Sequence, residues 1–166
     1  MVEKINDLIF KELIKRGYSI EGKTRVWNIA DSKLWYLTSE QAQGYLDLEK
    51  SSEYQKDVNQ AGDGLVEKNM QEIIASIGGD SLNVVDLGCG DGRKACQVMK
   101  YLKGKNKLRY CPIDISGYMV SKAIETAQKT KIAEVVEFRY NISDFENLDN
   151  LTPLLTNGEY QKNLFL

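Results

Sequence analysis

Nine consecutive positions, Asp86 to Lys94, hold four charged side chains and three glycines, Gly88, Gly90 and Gly92. Glycines two apart leave the backbone bare, so a ligand can approach the main chain and meet the free N–H groups of a following helix's first turn. A nucleoside fits such a place. A dinucleotide fingerprint needs its third glycine where Arg93 stands, since Gly92 comes one position early, and the P-loop spacing with its Gly-Lys-Ser/Thr is absent. Asp86 and Asp91 would repel a pyrophosphate but suit a ligand that carries an ammonium or a sulfonium. The plainer alternative is a turn that joins strand to helix and binds nothing.

Two more carboxylates extend the pattern. Asp114 lies 26 residues after Gly88, where an acid at the end of a second strand accepts hydrogen bonds from both ribose hydroxyls. Asp144 is placed to accept from an adenine amino group, with Phe145 offering a backbone N–H and an apolar face; on its own, Asp144 reads equally as a helix N-cap. Trp27, Trp35, Tyr36, Tyr45 and Tyr54 are concentrated upstream and can wall a pocket for a cationic or amine-bearing ligand, although both tryptophans read better as core and hairpin packing. The chain has no histidine. Chemistry therefore falls to carboxylates, Tyr, Lys or positioning alone.

Around these residues, an apolar run at 83–87 reads as a buried strand, and Ala95, Val98, Met99 and Leu102 behind the glycines read as a helix closed by Gly104. A second strand at 108–115 carries Asp114 near its end, with a bulge or strand end expected at Pro112, which has no ladder donor. Ser116 caps the next helix, a third strand spans 134–140, Thr152 opens a short helix and a fourth strand covers 163–166. This alternation specifies an α/β fold with a parallel sheet. Upstream, Ile5, Leu8, Ile9, Leu13 and Ile14 give an amphipathic helix over 3–16 whose stripe reads as packing. The β-prone runs 25–29 and 33–37 suggest a hairpin, and Thr38 with Gln41 is a capping box that opens a helix to about Leu48. A loop at 59–64 releases a long helix with Leu65, Met70, Ile74 and Ile77 on one face, stopped by Gly78-Gly79. Residues 1–60 are read as an N-terminal cap and 61–166 as the ligand-binding domain.

The whole-chain numbers narrow the function further. At 166 residues, 42% hydrophobic and 28% charged, the chain suits one ordinary globular core. A net charge of −2 argues against a general polyanion binder, and the cluster Lys100, Lys103, Lys105, Lys107 and Arg109 reads as a solvated helix end remote from the glycine turn. No nucleic-acid partner is expected. No membrane partner is expected either, because no apolar run reaches the roughly 18 residues of a span and the N-terminus lacks a signal-peptide pattern. A cytoplasmic location follows. Cys89, Cys96 and Cys111 have neither the pairing nor the spacing of a disulfide framework or a zinc site, so no metal is expected.

Asp-x-Gly-x-Gly-x-Gly after a first strand resembles the S-adenosylmethionine site of the class I methyltransferases. The strings Val-Asp-Leu-Gly-Cys-Gly-Asp-Gly-Arg-Lys at 85–94, Tyr-Cys-Pro-Ile-Asp-Ile-Ser at 110–116 and Ser-Asp-Phe at 143–145 are similar, more specifically, to the histidine-specific methyltransferase family of amino-acid Nα-methyltransferases. The resemblance implies S-adenosylmethionine as cofactor, S-adenosylhomocysteine as product, and a small-molecule amine or amino acid as the acceptor methylated on nitrogen. It sets Gly88 and Lys94 against the methionine part, Asp114 against the ribose, and Asp144 with Phe145 against the adenine; Asp86, Gly90 and Asp91 complete the cofactor set. Tyr54 matches a tyrosine of the family's amino-acid pocket, and Gln55 stands where another would be. The implied fold is a Rossmann-like class I methyltransferase sheet with an N-terminal helical cap, the family's strands running 3-2-1-4-5-7-6. Four strands, ordered 3-2-1-4, fit here, so the sheet is expected to be truncated after the fourth, with its edge open to a second copy or another chain. The rival expectation is a non-catalytic subunit that binds the cofactor or its product and needs a partner chain.

Overall fold

A computed structural model of the chain describes residues 5–29, 32–36, 38–56, 60–136, 151–155, 158–160 and 162–166. The pair expected to contact the adenine, Asp144 and Phe145, and the outer part of the expected third strand lie outside the described residues.

The N-terminal region contains α1 (Ile5–Arg16), an antiparallel ribbon of β1 (Ser19–Glu21) and β2 (Thr24–Val26), a 3-10 turn at Ser32–Trp35, α2 (Ser39–Glu49) and the single turn α3 (Ser52–Tyr54). The hairpin is displaced from its expected place. Its turn is Gly22-Lys23, because Gly22 takes the left-handed conformation that a tight turn requires (φ 63°), and Ile20 pairs with Arg25. The second β-prone run winds up instead, since Leu34 is buried and its carbonyl accepts a hydrogen bond from the Gln41 side chain at 3.1 Å. The capping box forms: Gln41 N–H donates to Thr38 Oγ1 and Thr38 N–H to Gln41 Oε1, both at 3.2 Å. Trp27 packs on Tyr18 at the open end of the ribbon, ring centroids 5.2 Å apart, whereas Trp35 is 58% exposed and not core. The α1 stripe is only partly covered: Leu8, Ile9 and Leu13 are half-buried and Ile14 is exposed, as is Phe10 outside the stripe.

Downstream come α4 (Gln60–Ile77), β3 (Leu82–Leu87), α5 (Arg93–Leu102), β4 (Leu108–Ile113), α6 (Gly117–Thr130), β5 (Glu134–Val135), α7 (Thr152–Leu155) and β6 (Lys162–Phe165). α4 runs through Gly62 and Gly64 rather than starting after them. Once a helix is nucleated each residue adds a hydrogen bond, and a glycine subtracts only about 1 kcal/mol. The four later strands form one parallel sheet in the spatial order β5-β4-β3-β6. β3 and β4 are buried along nearly their whole length because helices cover the sheet, even at the polar Asn83, Asp86 and Arg109. On one face Val84, Leu108 and Tyr110 meet Ile77 of α4, Met99 and Leu102 of α5, and Ala123 of α6; on the other, Val85, Cys111 and Ile113 meet Leu151 and Leu155. None of the described helices is long and apolar enough to cross a membrane.

β4 passes through Pro112 in unbroken register, opposite Asp86, and ends one residue further on at Ile113, so of the expected bulge or strand end no bulge forms and the strand end is close by. Leu82 N–H donates to Lys107 O and Gly88 N–H to Ile113 O, so the odd-numbered residues of β4 face β3. The donor that Pro112 lacks therefore points to the other side, where β5 pairs only with Arg109 and Tyr110 among the described residues. The chain leaves β3 towards β4 and returns to its opposite flank as β6. The crevice at the carboxyl end of β3 is thus a topological switch point, where open α/β sheets take their ligands.

Candidate functional site

At that end Gly88, Gly90 and Gly92 all have positive φ, 74°, 51° and 76°. The three serve two purposes. A Cβ at Gly88 or Gly90 meets nothing within 4 Å, whereas at Gly92 it would stand 2.9 Å from the Ala123 Cα and 3.1 Å from its Cβ and carbonyl oxygen. Gly92 lets α5 start against α6, and the other two keep a bare surface open. The turn is tied down by Gly88 N–H and Cys89 N–H, both donating to the Ile113 carbonyl at 2.8 and 3.1 Å.

Asp114 follows β4 and hooks under the turn. Its Oδ2 accepts from Gly90 N–H at 3.2 Å and its Oδ1 from Ser116 N–H at 2.9 Å. A carboxylate has about four acceptor positions, so both oxygens keep capacity for the two hydroxyls of a ribose. Burial raises its pKa, against the hydrogen bonds of the Ser116, Gly90 and Ile115 backbone. Asp86, only 8% exposed, accepts the Tyr110 hydroxyl at 2.6 Å. Burial pushes its pKa up to about 6, the Tyr110 hydrogen bond opposing and the nearby Asp114 charge adding to the rise. Asp91 is engaged locally: its carboxylate accepts Arg93 N–H at 3.2 Å and meets Arg93 Nε at 2.5 Å, while the same guanidinium reaches Glu49 at 3.4 Å. Arg93 thus links the glycine turn to α2.

A cavity of about 350 Å³ opens beside the turn, lined by Asp86, Gly88, Gly90, Asp91 and Lys94 and, from the N-terminal region, by Tyr45, Glu49 and Gln55. A second, of about 210 Å³, is bordered by Asp114, Met119, Tyr36 and Tyr45 and shares Gly88 and Gly90 with the first. α2 is seated over both by Ala42 and Leu46 packing on Met119 and by the Tyr118 hydroxyl donating to Gln43 at 2.6 Å. Tyr36 meets Tyr45 edge-on, centroids 5.8 Å apart, and the Tyr45 and Tyr54 hydroxyls lie 3.4 Å apart. Burial, then Asp114 and Glu49, raise the Tyr36 pKa; the Tyr54 hydrogen bond, then burial, raise that of Tyr45. Both remain neutral phenols.

The structure therefore brings Asp86, Gly88, Gly90, Asp91, Lys94 and Asp114 to one crevice, and Tyr54 joins it through Tyr45. Trp27 and Trp35 border neither cavity. Two contributors escaped the sequence reading. Glu49 had a usable signal, since it follows Tyr45 by four residues and so shares its helix face; Tyr110 had none, because it meets Asp86 only through strand register. The fit to a positively charged nucleoside rests on the bare backbone at Gly88 and Gly90, the remaining acceptor capacity of Asp114, and an acid in the adjoining cavity.

Parallel strands, covering helices and a glycine turn at the switch point define an α/β protein compatible with a Rossmann-like methyltransferase. The family model for histidine-specific, S-adenosylmethionine-dependent methyltransferases matches residues 52–166, and the chain belongs to that family. Its cofactor is accordingly S-adenosylmethionine and the product S-adenosylhomocysteine. A search of curated proteins finds no match.

Proposed function

We propose that the chain holds S-adenosylmethionine across the glycine turn of a Rossmann-like sheet and serves N-methylation of an amino acid or a related small amine. Asp114 takes the ribose hydroxyls, Gly88, Gly90 and Lys94 face the methionine part, Asp86 balances its ammonium, and Asp91 fixes Arg93 beside it. Asp144 and Phe145 take the adenine. Residues 1–60 act as the cap and 61–166 as the cofactor domain. The observation that supports this most is the Gly90–Asp114 hydrogen bond, which couples the bare turn to an acid that keeps acceptor capacity for a diol. When bound, the cofactor supplies an electrophilic methyl group on a sulfonium. The protein's part is proximity, orientation and exclusion of water, and no general base is required for an amine that arrives neutral. Tyr36 and Tyr45, which border the cavity of Gly88 and Asp114, and Tyr54, whose hydroxyl meets that of Tyr45, offer the acceptor ring faces and hydroxyls.

Calorimetric titration with S-adenosylhomocysteine tests the donor half. Binding to one site is expected, weakened about tenfold or more in Asp114→Ala through two lost hydrogen bonds. Absence of binding to the unaltered chain overturns the proposal. A second reading, a cofactor-binding module completed by another chain, is supported by β6, which among the described residues pairs with β3 alone and leaves Phe165 51% exposed. Binding without methyl transfer to histidine, tryptophan or other amines decides for it.

A further inference from the structure

We propose that Tyr110 is a positioning residue for the methyl donor: its hydroxyl holds the Asp86 carboxylate at the cavity wall, and through it governs recognition of the cofactor's charged amino-acid end. The inference rests on the proposed cofactor site. Tyr110 is fully buried, and among the largest side chains of the core. A phenol hydroxyl in such a place needs a partner, and Asp86 Oδ2 supplies it at 2.6 Å. Tyr110 borders neither cavity, whereas Asp86 lines the larger one. Tyr110 therefore reaches the ligand through Asp86, the cavity residue that its hydroxyl touches.

The hydrogen bond matters because Asp86 is poised to lose its charge. Burial favours the protonated acid, and Asp114, just beyond β4, adds a like charge. Cys89 of the turn and Cys96 of α5 also feel Asp86, and both thiols are held neutral by burial. Lys94 of α5 and Glu49 of α2 share the cavity with opposite signs. Against the desolvation, Tyr110 donates the hydrogen bond that favours the carboxylate. A neutral acid at this position would give a ligand ammonium no charge to pair with.

Two ligands separate this role from simple packing: S-adenosylhomocysteine, and 5′-deoxy-5′-methylthioadenosine, which keeps the nucleoside and lacks the amino-acid part. Tyr110→Phe is expected to weaken the first about tenfold at neutral pH and to leave the second within about twofold. In the unaltered chain, affinity for S-adenosylhomocysteine should fall as pH drops through about 6, the Asp86 range. In Tyr110→Phe that fall moves to higher pH; in Asp86→Asn it is absent, and adding Tyr110→Phe changes nothing more. Equal losses for both ligands, an unmoved pH profile, or additive effects in the double variant overturn the inference. Tyr110→Met, which fills the core without a hydroxyl, carries the same comparison if the Phe variant does not fold. If the unaltered chain binds neither ligand, the cofactor site itself fails, a different outcome from equal losses.

Discussion

Gly88 and Gly92 have nearly the same φ, yet replacing each with alanine should do opposite things. Both replacements place an L residue in the left-handed region, at about 1–2 kcal/mol. Only at Gly92 does the new methyl collide, 2.9 Å from the Ala123 Cα and 3.1 Å from its carbonyl oxygen. Those atoms are backbone on a packed helix, so α5 or α6 must shift, adding about 1–3 kcal/mol. For a chain of this size each kcal/mol lowers Tm by roughly 2–4 °C, so Gly92→Ala should lose roughly 4–20 °C and Gly88→Ala roughly 2–8 °C, the first always the larger. Binding should reverse the order. A methyl at Gly88 stands on the wall shared by the two cavities, whereas one at Gly92 is directed into α6. Thermal melts followed by circular dichroism, with and without S-adenosylhomocysteine, read both quantities from the same samples. Equal Tm losses, or a folded Gly92→Ala that binds worse than Gly88→Ala, would refute the division of roles.

Two further outcomes follow from buried polar groups. The Asp86 pKa is raised from 3.8 to about 6 in the folded chain, so its contribution to stability is present below its unfolded pKa and is lost as pH rises through 6. Asp86→Asn lacks that loss, and in urea unfolding should gain on the unaltered chain by up to about 3 kcal/mol between about pH 4 and pH 8; a difference independent of pH would contradict the burial argument. Asn83, inside the sheet, accepts from Arg109 Nε at 3.1 Å and Cys111 Sγ at 2.9 Å and donates to Asn163 Oδ1 at 2.9 Å. Asn83→Leu takes that acceptor from the buried guanidinium, which keeps the Tyr160 ring 4.5 Å away, and should cost about 1–3 kcal/mol, seen as a lower urea midpoint at unchanged m.

What could be read from the sequence was whatever depends on neighbours along the chain. Glycines spaced two apart after an apolar run, an acid at the next strand's end, and Thr38 three residues before Gln41 each describe a local geometry, and each forms where expected. The displaced hairpin shows the limit: aromatic, β-prone residues drew attention to 25–37, but Gly22 decides the turn, between strands too short and polar to give a period. Pro112 looked disruptive because a missing donor matters only on the side where a strand would accept it, and that side is set by pairing order. Tyr110 and Asp86 are 24 residues apart and are joined solely by the register of β3 against β4.

A short segment after β4 sets the relation between the proposed donor and acceptor surfaces. Asp114 grips Gly90 with one carboxylate oxygen and the start of α6 with the other, through Ser116 N–H. Ser116 in turn caps α6 by accepting from Met119 N–H, and Met119 is the residue on which Ala42 and Leu46 of α2 rest. α2 then carries Tyr45 and Glu49 to the edge of the glycine turn, where Arg93 closes the circuit between Glu49 and Asp91. Six residues, 114–119, therefore tie the turn that is proposed to bear the methyl donor to the tyrosines proposed to receive the acceptor. In a reaction where the protein's contribution is mainly proximity, holding those two surfaces to one short segment is itself a catalytic device, because any displacement of α6 moves both together and preserves the distance between them.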